Sequence, residues 1–293
     1  MKTLLENWKK YLLNEIQIVD NEEEEEYDYD AELLKQQGET ESKFFGSVLE
    51  RAQELAVDIS MLTMNYEDYG DEGQMLRRAV ERKGEKLGLN VKYLGSGASR
   101  FTISVDNDFV IKVSKGLGYS QIEMNKDDYN LGTNPSFGGI FPRVYKHGPQ
   151  GAKYHPDFYW IIMEKATPLV DDRKIASFFK SSFVDSNNLE EWEASAYKAL
   201  IATCVTRTVY TNSFVYGSME EVVISVLQKK NPTVSTIDYD MITQDFMRYS
   251  DNFRKIVRVM KEYRKLDVSE ALAIGNCGVG YDGRFVILDS SIF

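Results

Sequence analysis

The chain has 293 residues, 43% of them apolar, and a net charge of −11 at neutral pH. That apolar content builds one large core or two modest ones without a metal or a staple, so the chain reads as globular. Asp20, Glu22 to Glu26, Asp28 and Asp30 account for eight of the net eleven charges. The rest is nearly balanced, which disfavours nucleic-acid binding through bulk positive charge.

Residues 1–19 place Leu4, Trp8, Tyr11 and Leu12 at helical spacing and read as a short amphipathic leader, either a docking helix or a frayed terminus. Residues 20–42, rich in Glu, Asp, Gln and Gly, read as a disordered acidic linker. Phe45, Val48, Ala52, Leu55, Ile59 and Leu62 then recur at three- and four-residue steps. This predicts a helix over 43–63 with one buried stripe, and a second helix follows over about 73–87. The basic residues of the second helix, Arg77, Arg78, Arg82, Lys83 and Lys86, read as a solvated face. Together, residues 43–88 form a pair of accessory helices.

From residue 91 the pattern becomes that of strands: 91–94, 101–105 and 109–113, the last two joined by an Asp106-Asn107-Asp108 turn. A helix over 119–131 and strands over 140–145 and 158–163 complete a β-rich unit spanning 89–165. Residues 166–293 read as mainly helical. Phe246, Tyr249, Phe253, Ile256, Met260 and Tyr263 form a stripe that predicts one long buried helix, and a closing hairpin over 277–279 and 285–288 turns at Asp282-Gly283.

The candidate chemistry is sparse. No apolar run approaches the roughly 20 residues of a membrane span. Cys204 and Cys277 suggest no disulfide framework and fit a reducing, cytoplasmic compartment. With only His147 and His155, neither a zinc spacing nor a nucleophile triad has material to work with.

Gly95-Ser96-Gly97 lies between two strands, where backbone amides can approach a phosphate. The same residues also suit a tight turn with no ligand. Lys112 sits in an apolar strand, where an ammonium needs a partner. Glu123, on the following helix, is either that partner or a surface glutamate.

At this point the chain resembles the protein-kinase superfold: a glycine-rich hairpin, a lysine on the third strand and a glutamate on the next helix. The resemblance covers about residues 90–293 and is similar to minimal kinase-like proteins of bacteriophages. It implies an α+β, two-lobed fold with a small β-rich N-lobe and a helical C-lobe. It also implies ATP or a related nucleotide held with Mg2+ between the lobes. Gly95, Ser96, Gly97, Lys112 and Glu123 are then phosphate-side residues, and backbone groups around Glu164 to Ala166 hold the adenine edge.

Asn276 and Asp289, thirteen residues apart across the closing hairpin, are similar to the kinase pair of metal ligands. Without a metal they read as a buried hairpin with a capping Asp. Several departures accompany the resemblance. Ala271 occupies the position of the catalytic aspartate, with Asp267 and Glu270 as the nearest substitutes, and Arg100 replaces the third glycine of the phosphate loop. Asp289 is followed by Ser290 and Ser291 rather than Phe-Gly, and the sequence stops before any activation segment. This implies a pseudokinase that binds nucleotide with weak or absent transfer. The rival is a non-catalytic scaffold for a protein partner, virion-associated or host-directed. Residues 1–15 resemble the leader of phage internal head proteins, cleaved after Leu13-Asn14-Glu15, which implies carriage inside the virion and action in the host cytoplasm.

Overall fold

The computed structural model describes residues 29–64, 72–96, 100–115, 119–148, 157–210, 217–263 and 267–288. The leader, the acidic run before Tyr29, Gly97 and Asp289 lie outside the described residues.

Strands β1 (Val91–Ser96), β2 (Arg100–Val105), β3 (Phe109–Ser114), β4 (Val144–Gly148) and β5 (Trp160–Glu164) form an antiparallel sheet in the order β1-β2-β3-β5-β4. Successive strand side chains point to opposite faces, so the register sorts them cleanly. Ile103 pairs with Ile111 and Val105 with Phe109 on one face, while Thr102 pairs with Lys112 and Arg100 with Ser114 on the other. The apolar face is buried beneath α1 (Tyr29–Met64) and α2 (Glu72–Lys86), which contribute Val48, Ala52, Leu55, Ile59, Leu76 and Val80 to this first core. Helix α2 approaches β1 so closely that a Cβ at Gly84 would clash with the side chain of Val91.

Helix α3 (Tyr119–Thr133) leads from β3 into a second core built by α4 (Asp172–Ala176), α5 (Glu191–Tyr210), α6 (Gly217–Gln228), α7 (Tyr239–Tyr249) and α8 (Asp251–Glu262). Its centre is α5, whose Tyr197, Leu200, Ile201, Cys204 and Val205 are buried. Leu131 in α3, and Phe137 and Ile140 between α3 and β4, belong to this second core rather than to the first. A short helix α9 (Val268–Ala271) precedes a small sheet of β6 (Thr167–Pro168), β7 (Cys277–Val279) and β8 (Phe285–Ile287). The molecule is thus α+β, with a small antiparallel sheet followed by a helical part. Among the described residues no helix is long and apolar enough to cross a membrane.

Three boundaries differ from the sequence expectation. Helix α1 begins at Tyr29, so residues 29–42 are helical rather than linker. Their Glu, Gln, Lys, Leu and Ala content favours helix, and no proline interrupts it. The strand expected over 140–145 begins only at Val144. Pro142 has no amide hydrogen to give a ladder, and the Ile140 carbonyl instead accepts from Ile287 N at 2.8 Å. The long stripe from Phe246 to Tyr263 is broken at Ser250, whose Oγ accepts from Phe253 N at 3.2 Å and starts α8 afresh. Tyr249, expected to be buried, is consequently 45% exposed.

Ser250 is itself buried and caps α8, so Ser250→Ala is expected to lower stability by about 1 kcal/mol. Urea unfolding with an unchanged midpoint would show that the cap contributes nothing.

Candidate functional site

The apolar neighbours of Lys112 on β3 face the first core, and its own side chain, 12% exposed, faces α3. Its Nζ donates to Asp128 Oδ2 at 2.8 Å. Asp128 therefore stands where the sequence expectation placed Glu123. Glu123 instead accepts from Lys126 at 3.2 Å, one helical turn along the surface. Glu123 lies about 140° around the helix from Asp128, so the two cannot serve the same face. Asn125, Asp128 and Leu131 recur at three-residue steps, and the apolar Leu131 marks that face as the buried one. This was the signal the sequence offered for Asp128.

Arg100 joins the same carboxylate, its Nη1 donating to Asp128 Oδ2 at 2.6 Å. Asn125, wholly buried, ties the helix to the strands by donating from Nδ2 to Ser114 Oγ at 3.1 Å and to the carbonyl oxygens of Phe158 and Tyr159 at 2.9 and 3.1 Å. Gly95 pairs with Thr102, which pairs with Lys112, so the glycine hairpin lies two strands, roughly 10 Å, from the lysine. Its φ of 154° beside a register shift at Tyr93/Gly95 suits glycine. Ser96 ends β1.

The closing loop meets Lys112 from the other side. Lys112 Nζ also donates to the carbonyl oxygen of Leu288 at 3.5 Å, and Leu288 N donates to Asn276 O at 2.8 Å. Asn276 gives its side-chain amide hydrogen to Glu270 O at 3.0 Å, which leaves Oδ1 as its oxygen donor toward a ligand. That oxygen suits a hard cation such as Mg2+. Beneath the loop, Lys198 pairs with Asp172 at 2.6 Å and donates to Leu272 O at 3.0 Å.

Ala271 is buried at the end of α9. Asp267, expected as a substitute base, is the N-cap of that helix and accepts from Ser269 N and Glu270 N at 2.9 and 3.2 Å. Glu270 is exposed. Among the described residues no cluster of three His, Cys, Asp or Glu could hold a metal. Burial pushes the thiol of Cys204 up to about 11 and that of Cys277 up to about 12, so neither is a nucleophile near neutral pH.

Glu164 takes a different part from the one the sequence suggested. Its carboxylate is fully buried and pairs with Arg284, whose Nη1 lies 3.1 Å from Oε1. Tyr281 N and Arg143 N donate to the same carboxylate at 2.9 and 3.1 Å. The backbone is also committed, Glu164 N to Arg143 O and Lys165 N to Asp108 O. Ala166, just past the strand, is partly exposed.

Arg284 extends to Gly139 O at 2.7 Å and to Asp282 Oδ1 at 2.7 Å. Burial opposes its charge, but the bonds and charges of Glu164 and Asp282 outweigh this and raise its pKa. Burial likewise pushes Asp282 up, and Arg284 and Arg143 more than offset it, holding the carboxyl below its ordinary value. A Cβ at Gly280 would stand 2.6 Å from Glu164 Oε1, so the clamp needs glycine there. No local pattern marks this pair, because its members lie 120 residues apart.

No family model and no curated protein matches the chain. A solved structure, the GDP and kanamycin complex of APH(2")-IIia, is similar at 14% identity with a TM-score of 0.26. The match spans 46% of this chain and 40% of that one, so the chain covers well under half of that protein.

Replacing Arg284 with Met would leave the Glu164 carboxylate buried without its cation, an expected loss of about 3–5 kcal/mol in urea unfolding. A loss below about 1 kcal/mol, the range of surface pairs, would show that the clamp is not a buried ion pair in solution.

Proposed function

We propose that the chain is a kinase-like protein that binds a nucleoside triphosphate, ATP or a relative, with Mg2+ in the crevice between the sheet and the closing hairpin. The observation that carries this reading is the meeting at Leu288. That residue directly precedes Asp289, accepts from the Lys112 ammonium and donates to Asn276. A lysine paired with a helix carboxylate on one side, and an Asn/Asp pair on the other, is the set of groups that holds phosphates and their metal.

In this reading Lys112 binds phosphate oxygens while Asp128 fixes its direction. The backbone at Gly95 closes over the phosphates, and Ala166 meets the base. Asn276 and Asp289 would hold Mg2+, which when bound neutralises phosphate charge. Ala271, at the position of the base, has no carboxylate to take a proton from an acceptor, and Asp267 is engaged in capping its helix. A positioned base is worth about 10^2–10^4 in rate, so transfer is weak or absent while binding remains. Ala271 is also the observation that favours the second reading, a non-catalytic scaffold, virion-associated or host-directed, whose partner is a protein. The two part on whether nucleotide binds.

At a hundredfold excess over Kd, Mg-ATP is expected to add about 2.7 kcal/mol of stability, a rise of roughly 5 °C in melting temperature. Lys112→Ala or Asp289→Ala abolishes the rise. No rise in the parent protein at millimolar nucleotide would sink the binding claim and leave the scaffold.

With labelled ATP and candidate acceptors, the parent should transfer little phosphate, and Ala271→Asp should raise transfer by about 10^2-fold. Parent turnover of about 1–100 per second, the ordinary kinase range, would contradict the loss of the base.

A further inference from the structure

Arg100 stands where the kinase resemblance has a glycine, yet it is neither exposed nor idle. The register of β2 on β3 puts Arg100, Thr102, Lys112 and Ser114 on the face that α3 covers. Arg100 and Lys112 therefore reach the helix from neighbouring strands and converge on one atom, Asp128 Oδ2, at 2.6 and 2.8 Å. The side chains are 9%, 12% and 4% exposed for Arg100, Lys112 and Asp128. The Arg100 guanidinium also leans on Asn125 Oδ1 at 3.3 Å and Met124 O at 3.4 Å, so it grips one turn of α3 in three places.

A lysine–carboxylate pair alone leaves the helix position dependent on whatever else the lysine binds. When a phosphate draws on the ammonium, the carboxylate shares it, and when the ammonium turns away the carboxylate is left buried, which is costly. A second cation on the same oxygen removes that dependence. Arginine suits the task because its guanidinium is always charged and presents several donors in a fixed plane.

We propose that Arg100 is a positioning residue. It holds Asp128, and through it α3 and the direction of Lys112, in the docked arrangement whether or not a ligand is present. The consequence for Lys112 rests on the nucleotide reading above, whereas the docking of α3 does not.

Hydrogen–deuterium exchange of α3, with and without Mg-ATP, separates the two. In the parent protein, α3 amides should exchange at the same rate in both states. In Arg100→Ala, α3 should exchange about tenfold faster without nucleotide, return toward the parent rate with it, and bind nucleotide about tenfold more weakly. Arg100→Lys, which keeps charge but loses the fork, should fall between the two, and it carries the comparison if the alanine variant does not fold.

Protection of α3 in Arg100→Ala equal to the parent's without nucleotide would overturn the proposal, since Lys112 alone would then suffice. Faster exchange that saturating nucleotide does not reverse would overturn the link to Lys112. If the parent binds no nucleotide, the functional reading fails, and unliganded exchange alone still decides whether Arg100 docks the helix.

Discussion

The arrangement of the two parts depends on one buried ion pair. Glu164 closes the last strand of the sheet with its carboxylate wholly shielded from water, and Arg284 reaches it from the closing hairpin. Desolvating a carboxylate is tolerable only when its oxygens are filled, and here one guanidinium and two backbone amides fill them. The same guanidinium holds Gly139, next to the segment whose Ile140 carbonyl receives β8. One side chain thus fixes the hairpin against the strand end and against the approach to β4. The position of Asn276 and Leu288 relative to Lys112 follows from that attachment.

The sheet divides its labour by face. Its apolar face lies under α1 and α2 and supplies the burial that stabilises the first core. Its other face carries Arg100, Thr102, Lys112 and Ser114, and α3 answers Arg100, Lys112 and Ser114 with Asn125 and Asp128. Such a network is worth having only when its members are satisfied, and each of these helix residues meets more than one strand group. Chemistry concentrates on this face because the first core needs none of it.

Much of this division was legible in the sequence. Alternation and the Asp-Asn-Asp turn marked β2 and β3, and a lone lysine inside an apolar strand marked Lys112 as a residue requiring a partner. Helical spacing identified the buried stripe of α1. What failed were choices among near-equivalents. Glu123 and Asp128 share a helix, and only the face defined by Leu131 separates them. Ser250 looked like one polar interruption in a stripe, although a serine three residues before an apolar position is also a helix start. Glu164 looked like the beginning of an exposed segment because the arginine that buries it lies far along the chain. Pairings between distant charges leave no periodic trace, so neither the clamp nor the sharing of Asp128 had a local signature.

That distance orders events in time. At about 5–20 residues per second, a ribosome emits Glu164 on the order of ten seconds before Arg284, since 120 positions separate them. During the interval the carboxylate has no cation to enter the interior with. The end of the sheet stays hydrated, and the nascent chain holds a water-accessible edge until Arg284 has emerged. Attachment of the closing hairpin to the sheet therefore waits on the arrival of a single arginine.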